Sequence, residues 1–453
     1  MNGGTLVIGG GLAGIAAALR SADLGREVTL LEARPRLGGA AFSFRRGELA
    51  VDNGQHVFLR CCTEYRWLLD RIGATGQTVL QPRLDIPVLS PDGRSARLSR
   101  LPGVPAPAHL GASLARFTLL SPPDRARAIR GALALRRLDP ADPRLDAQSL
   151  GDYLRRHGPG PQLVDALWGI VSTATLNIAP DDASLALAAK VFRTGLLDSA
   201  PAADVGHARA PLGELHFTAA RRALTAAGVD VRVGHRVESV SPGGEVRVRT
   251  RDGAEVLRPE AVVLAVPPRD AFRLLPELAD TPAAPAAELG TSPILNVHVV
   301  YDRPVTEHPF AAAVNSPVQW VFDRTDSSGL AAREPGRQYL AITVSAADEM
   351  IDTSSPVLVD RFVRELGQLL PRARRAEVVD AFVTRERHAT FRQSVGSNAR
   401  RPAADVGLPG VWLAGSWTAT GWPDTMESAV RSGVTAAEQA ASLVSRRPNE
   451  VRA

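Results

Sequence analysis

Residues 5–32 read TLVIGGGLAGIAAALRSADLGREVTLLE. Thr5 to Ile8 is a short apolar run, Gly9-Gly10-Gly11-Leu12-Ala13-Gly14 is a glycine turn, Ile15 to Leu24 continues as an alanine-rich helix, and Glu27 to Glu32 is a second strand. Strand, glycine turn, helix and strand within about 30 residues make the βαβ unit whose turn accepts a dinucleotide. In Gly9-x-Gly11-x-x-Gly14 the first glycine permits the tight turn, the second lets the backbone approach a pyrophosphate, and the third lets helix and strand pack closely. The helix N-terminus then faces the phosphates. Glu32, at the end of the second strand, stands where a carboxylate accepts hydrogen bonds from ribose hydroxyls. Arg34-Pro-Arg36-Leu-Gly38-Gly39 follows directly. Its paired glycines permit a second close approach to a phosphate, and Arg36 adds charge there.

Further along, residues 81–205 are rich in proline and arginine, with leucine-containing helical patterns and few strand signals, and read as an inserted lobe. Sheet signals return at Val229–Val233, Val237–Val240, Glu245–Thr250 and Ala261–Val266, then at Ile294–Tyr301, Val318–Phe322 and Gln338–Val344. Pro356–Leu370 reads as a helix. Val411-Trp-Leu-Ala-Gly415 reads as one more buried strand, and the last helix is expected from about Thr425 to Leu443. The fold class expected is α/β: a Rossmann-like dinucleotide domain (1–80, 206–275 and 405–446) interleaved with a mixed α+β substrate domain (81–205 and 276–404), and a disordered tail over 447–453.

Composition narrows the function classes. Of 453 residues, 45% are hydrophobic and 22% charged, the balance of a folded enzyme-sized protein. The net charge is +5, carried by 52 arginines and a single lysine, Lys190. The arginines are dispersed among acids, so no nucleic-acid partner is expected. The only cysteines, Cys61 and Cys62, are adjacent and read as small apolar residues at a helix start, which fits a reducing cytoplasm. Two uncharged stretches, Met1–Leu19 and Val406–Pro423, carry too many glycines and prolines for a bilayer, so no transmembrane helix is expected. No metal is expected either.

A third constellation lies near the other end of the chain. Leu413-Ala-Gly415-Ser416 is followed by Thr425-Met426-Glu427-Ser428-Ala429-Val430-Arg431-Ser432-Gly433. A buried strand ending in glycine, with a helix starting ten residues later, aims backbone N–H groups at an anion or a flavin carbonyl. These three pieces, in this order, resemble the flavin-containing amine oxidase superfamily, which includes phytoene desaturases and protoporphyrinogen oxidases. Within it, Val51-Asp-Asn-Gly-Gln-His56, Gln319-Trp-Val-Phe-Asp-Arg324 and Gly421-Trp-Pro-Asp-Thr-Met-Glu-Ser-Ala-Val-Arg-Ser-Gly433 resemble one branch, the squalene-associated FAD-dependent desaturases.

That resemblance implies FAD. Gly9, Gly11, Gly14, Glu32, Arg36, Gly38 and Gly39 would hold its ADP portion, Val237 would meet the adenine, and Gly54, Gln55, Gly415, Thr425 and Met426 would lie along the ribityl chain and ring. Ser416 stands where superfamily members carry an acid, so a weaker ribityl contact is expected there. Amine oxidases often place a lysine near the flavin; Lys190, in a leucine- and alanine-rich helical pattern, reads as a surface residue.

The reaction implied is reductive dehydroxylation of hydroxysqualene to squalene, in bacterial hopanoid and isoprenoid synthesis. Asp52, His56, Asp323 and Asp424 are candidate acids, with Asp52 or His56 preferred as proton donor. Trp320, Phe322, Trp417 and Trp422 are candidates for an aromatic wall that stabilises an allylic cation. A carotenoid-type desaturase, or a flavin-bound scaffold without turnover, are the alternatives. A polyisoprenoid substrate also implies peripheral contact with the inner membrane surface. For that contact His109–Leu138 offers Leu110, Leu114, Phe117, Ile129 and Leu133 beside Arg116, Arg125, Arg127, Arg130, Arg136 and Arg137.

Overall fold

The computed structural model describes residues 4–158, 163–250 and 253–446, so the tail 447–453 lies outside the described residues. Thr5–Ile8 and Val28–Glu32 pair in parallel, and the helix Leu12–Asp23 crosses between them. Among the described residues their sheet has five strands, all parallel, in the order Asp230–Val233, Val28–Glu32, Thr5–Ile8, Ala261–Leu264, Val411–Leu413. Continuous apolar runs suit this sheet, because helices and loops cover both faces and no face is left for alternation. Thr5–Ile8 and Ala261–Leu264 are buried throughout.

The glycines of the first turn are required by packing. A Cβ on Gly14 would stand 1.8 Å from the Gly9 carbonyl oxygen, and one on Gly433 would stand 2.0 Å from that of Ala13. Gly14 thus lets the first helix sit against its own turn. Gly433 lets the C-terminal helix Met426–Arg446 press against the first helix.

A second sheet of seven strands is mixed, in the order Val378–Phe391, Thr291–Tyr301, Gln338–Ser345, Trp320–Asp323, Phe310–Ala313, Asp85–Leu89, Ser95–Ser99. Its strands come from 85–99 and 291–391, whereas the strands of the parallel sheet come from 5–32, 230–264 and 411–413. Residues 81–205 are mainly helical, but they also supply the hairpin Asp85–Leu89/Ser95–Ser99 that extends this sheet. The hairpin, the strand Phe310–Ala313 and the 14-residue strand Val378–Phe391 are not signalled by the sequence. The last pairs on only one side, with Thr291–Tyr301, and its Val-Val-Asp-Ala-Phe-Val-Thr-Arg-Glu-Arg-His pattern has the charges of a protected edge.

Two readings of the inserted lobe need correction. Leu110, Leu114 and Phe117 do not join Ile129 and Leu133 on one exposed face: the first three are buried in the core of the lobe, while Ile129 and Leu133 are 40% and 43% exposed on the helix Pro122–Arg136. Lys190 is not a surface residue remote from the C-terminal segment. It is half-buried on the helix Leu185–Phe192, with its ammonium 4.8 Å from the centre of the Trp422 ring, and Arg431 stands 5.1 Å from the same ring. Burial, then the charge of Arg431, lowers the Lys190 ammonium from its ordinary range.

Cys61 and Cys62 precede the helix Thr63–Arg71, as read. Among the described residues no helix is long and apolar enough to cross a membrane, and no group of three or more His, Cys, Asp or Glu side chains is placed to hold a metal.

Candidate flavin and substrate site

At the N-terminal end, the turn and the Arg34–Gly39 loop are hydrogen-bonded into one cradle. Gly9 has a φ of +107°, and Gly38 N–H donates to the Gly10 carbonyl at 2.8 Å. Glu32 accepts from Gly10 N–H and Arg34 N–H, both at 2.7 Å, which fixes its carboxylate beside the turn. Gly39 lies against Gly11, where a Cβ would come within 2.8 Å of the Gly11 α-carbon. Arg36 stacks 3.5 Å over Phe42 and donates to the Gly39 carbonyl at 3.2 Å. Burial, then the nearby Arg34, lowers its guanidinium from the usual range. Val237 arrives at the same corner because Gly234 N–H donates to Arg34 O and His235 N–H to Glu32 O.

This cradle fits a pyrophosphate. No side chain caps the first helix, so its leading N–H groups remain for an anion. Space is left in front of Gly11: a Cβ there would meet no protein atom closer than the Gly39 α-carbon at 3.7 Å.

Asn53 connects the cradle to the next segment. Its side chain accepts from Phe42 N–H at 3.0 Å and donates to Ala40 O at 2.8 Å, and its carbonyl accepts from Asn296 Nδ2 at 3.1 Å. The loop Asn53–His56 is thereby pinned between the glycine loop and the long strand of the second sheet. Within it, Gln55 Nε2 is buried with no protein partner, the signature of a donor awaiting a ligand.

From the other end, Gly415 has a φ of +145°, and its N–H donates to Ser432 Oγ at 2.8 Å. Thr425 Oγ1 caps the C-terminal helix by accepting from Ser428 N–H at 3.3 Å, and Met426 is that helix's first residue. Asp424 accepts from Phe391 N–H at 2.7 Å. Burial raises its carboxyl against the opposing effect of a hydrogen bond from Ser416.

A small pocket is lined by Asp52, Gln55, His56, His207, Phe322 and Arg324, among others. Asp52 Oδ2 forms a buried ion pair with Arg324 Nη2 at 2.5 Å. Its Oδ1 accepts from Ser43 Oγ at 2.5 Å and from Leu212 N–H at 2.9 Å. Burial, helped by the charge of Arg324, holds the His56 imidazole down at about 4, so it is uncharged at neutral pH. Burial also lowers His207.

An aromatic row adjoins these groups. Phe322 stacks on Trp320 at 6.2 Å, Trp320 meets Phe310 at 6.4 Å, and His207 stands edge-on to Phe310 at 5.9 Å. Asp52, His56 and Phe322 thus converge, whereas neither Trp320 nor Asp424 lines this pocket. Asp323 caps a turn, accepting from Thr325 N–H at 2.9 Å and from Gln338 Nε2 at 2.7 Å. Trp417 is buried and donates to Val266 O at 2.9 Å. Asn53, His207, Arg324 and Asn296 had no assigned role; Arg324 stands in the Gln319–Arg324 motif, but nothing in the sequence pairs it with Asp52.

A parallel sheet with a glycine turn at its switch point, closed by a second sheet over a polar and aromatic pocket, is the arrangement of an α/β oxidoreductase. The family profile described as "Flavin containing amine oxidoreductase" matches residues 12–441, and the chain belongs to that family. It is a flavin-dependent oxidoreductase. It is similar to the hydroxysqualene dehydroxylase of Rhodopseudomonas palustris (strain ATCC BAA-98 / CGA009), with 31% identity over 95% of this chain and 97% of that protein. It is also similar to the 15-cis-phytoene desaturase of Narcissus pseudonarcissus, at 24% identity over 94% of this chain and 77% of that one. Among solved structures, putrescine oxidase bound to putrescine shares the fold, with a TM-score of 0.72 and 20% identity over 98% of this chain and 100% of that one.

Proposed function

We propose that the chain binds FAD and carries out the reductive dehydroxylation of hydroxysqualene to squalene in bacterial hopanoid and isoprenoid synthesis. The observation that carries the reading is the meeting of the Asp52–Arg324 pair and His56 with Phe322 in one pocket, with Trp320 stacked on Phe322 behind it. An allylic alcohol asks for both: a polar group at the oxygen and aromatic faces along the carbon chain. The likeness to hydroxysqualene dehydroxylase supports it.

Gly9, Gly11, Gly14, Glu32, Arg36, Gly38, Gly39 and Val237 would hold the ADP portion of FAD, and Gly54, Gln55, Gly415, Thr425 and Met426 the remainder. Reduced FAD, when bound, supplies hydride. Both Asp52 oxygens are engaged, so Asp52 is a positioning residue that fixes Arg324, and the proton for the leaving hydroxyl comes from the imidazolium form of His56, a minor fraction at neutral pH. The hydroxyl departs as water. Phe322, with Trp320 stacked behind it, presents a ring face to the allylic carbon, and Asp424 anchors the start of the C-terminal helix.

Contact with the inner membrane surface from the cytoplasmic side is part of the same reading, on a narrower footing. Ile129 and Leu133 project one turn apart, with Arg130, Arg136 and Arg137 exposed nearby. Flotation with anionic liposomes checks it, and indifference to lipid charge and to salt would remove it.

The reaction is tested by anaerobic incubation of the reduced holoprotein with hydroxysqualene. One equivalent of squalene per flavin is expected. Absence of squalene, or formation of a more unsaturated product from a hydrocarbon, would replace the reading with the carotenoid-desaturase one.

A further inference from the structure

Arg324 is held from three sides. It follows the strand Trp320–Asp323, donates through Nη2 to Asp52 and through Nη1 to the Ala208 carbonyl at 3.3 Å, and is 9% exposed. A buried ion pair is a poor device for stability alone, since well-packed apolar residues in its place are commonly neutral or stabilising. Here the pair lines a pocket, which gives it a use.

The groups facing that pocket have a definite chemistry. Arg324 contributes a positive charge. His56 contributes an imidazole that burial and the Arg324 charge keep neutral, His207 one that burial lowers against a hydrogen bond to the Ala208 carbonyl, and both oxygens of Asp52 already accept hydrogen bonds. The charge of Asp52 is already balanced by Arg324 and no further carboxylate lines the pocket, so an ammonium substrate would find no counter-ion. A hydrocarbon would leave polar groups without partners. A neutral oxygen, able to accept from a guanidinium and to exchange hydrogen bonds with an imidazole, satisfies the set. Of the aromatic row, His207 and Phe322 face this pocket, and Phe310 and Trp320 back them from the core of the lobe.

We propose that Arg324 and His207 form an oxygen-recognition pole that selects an isoprenoid alcohol over the corresponding hydrocarbon, with Asp52 acting through Arg324 as its positioning residue. The proposal rests on the dehydroxylase reading for the substrate class, but it concerns binding and is tested apart from turnover.

The experiment is titration of the oxidised holoprotein with hydroxysqualene and with squalene, read by the flavin absorbance change and repeated for His207→Phe and for the double variant Asp52→Asn/Arg324→Met. His207→Phe keeps a ring against Phe310 and leaves the ion pair intact; the double variant avoids stranding a buried carboxylate. A hydrogen bond to a charged group corresponds to about a tenfold to hundredfold preference, and one between neutral groups to about twofold to tenfold. The wild-type protein is therefore expected to bind the alcohol at least about tenfold tighter than the hydrocarbon. His207→Phe should lower that ratio severalfold and the double variant should bring it near one, with squalene affinity held within about twofold.

A wild-type ratio near one, or a ratio that survives both variants, overturns the pole. If that happens while the reduced wild-type protein still yields squalene, the dehydroxylase reading stands alone. If the ratio falls as expected but no squalene forms, the pole stands and the reaction assignment is wrong.

Discussion

Gly11→Val separates cofactor binding from folding. Gly11 sits at φ −73° and ψ 179°, extended backbone that any L-residue adopts, so the substitution introduces no conformational strain. A Cβ there would meet only the Gly39 α-carbon, at 3.7 Å, an ordinary contact. Lower freedom in the unfolded chain contributes about 0.4–1 kcal/mol in favour of the variant, so the apo protein should be as stable as the wild type or slightly more so. The added isopropyl group, however, projects into the space in front of the helix N-terminus. Gly14→Val is the contrast: its Cβ would stand 1.8 Å from the Gly9 oxygen, and forcing the first helix off its turn costs about 1–3 kcal/mol or more. FAD at a hundred times its dissociation constant stabilises a binding-competent fold by about 2.7 kcal/mol. Thermal unfolding of the apo proteins with and without added FAD therefore gives three signatures. The wild type shifts upward, Gly11→Val starts at least as high and does not shift, and Gly14→Val starts low. A Gly11→Val protein that shifts like the wild type would falsify the assignment of this turn to the pyrophosphate.

If His56 passes the proton, single-turnover rates should rise about tenfold for each unit the pH falls from 7 towards 5, since the imidazole is protonated only near 4. A flat profile, or His56→Gln within threefold of wild type, removes it from that role. His216 and His298 are buried and held at about 4 and about 3, below their unfolded value near 6.5, chiefly by desolvation. A lowered folded value means that the stability is present above the unfolded value and is lost as pH falls. Going from pH 7 to pH 5 should therefore cost about 2 kcal/mol for each, seen as a lower urea midpoint; replacing His298 by Leu should flatten that dependence if the assignment holds. Lys190→Met keeps the apolar stem but removes the charge over Trp422, and should lower stability by about 0.5–1 kcal/mol in thermal unfolding. No change would mean that relief of the Arg431 repulsion offsets the lost contact.

The dinucleotide end of the molecule was legible because its parts are local. Gly9, Gly11, Gly14 and Glu32 act mainly through backbone geometry within one βαβ unit, and a spacing read along the chain is the same spacing in space. The strands of the parallel sheet were legible for the same reason, since buried parallel strands announce themselves as short apolar runs. Val378–Phe391 did not, because a strand that pairs on one side alternates weakly and carries charge.

The substrate end is built differently, and that difference explains what was missed. Asp52 and Arg324 are 272 residues apart, and Arg324 reaches Ala208 across another 116. Each lies in a segment with its own local reading, and only the crossing of the two sheets brings them together. An isolated Asp52 invites the role of proton donor; the same carboxylate in an ion pair with Arg324 is suited to orienting its partner. Lys190 shows the converse, a residue whose helix looks like any surface helix until Trp422 arrives from the far end of the chain. A glycine turn built from local backbone leaves a motif, whereas a buried ion pair between distant segments leaves none until the fold has closed around it.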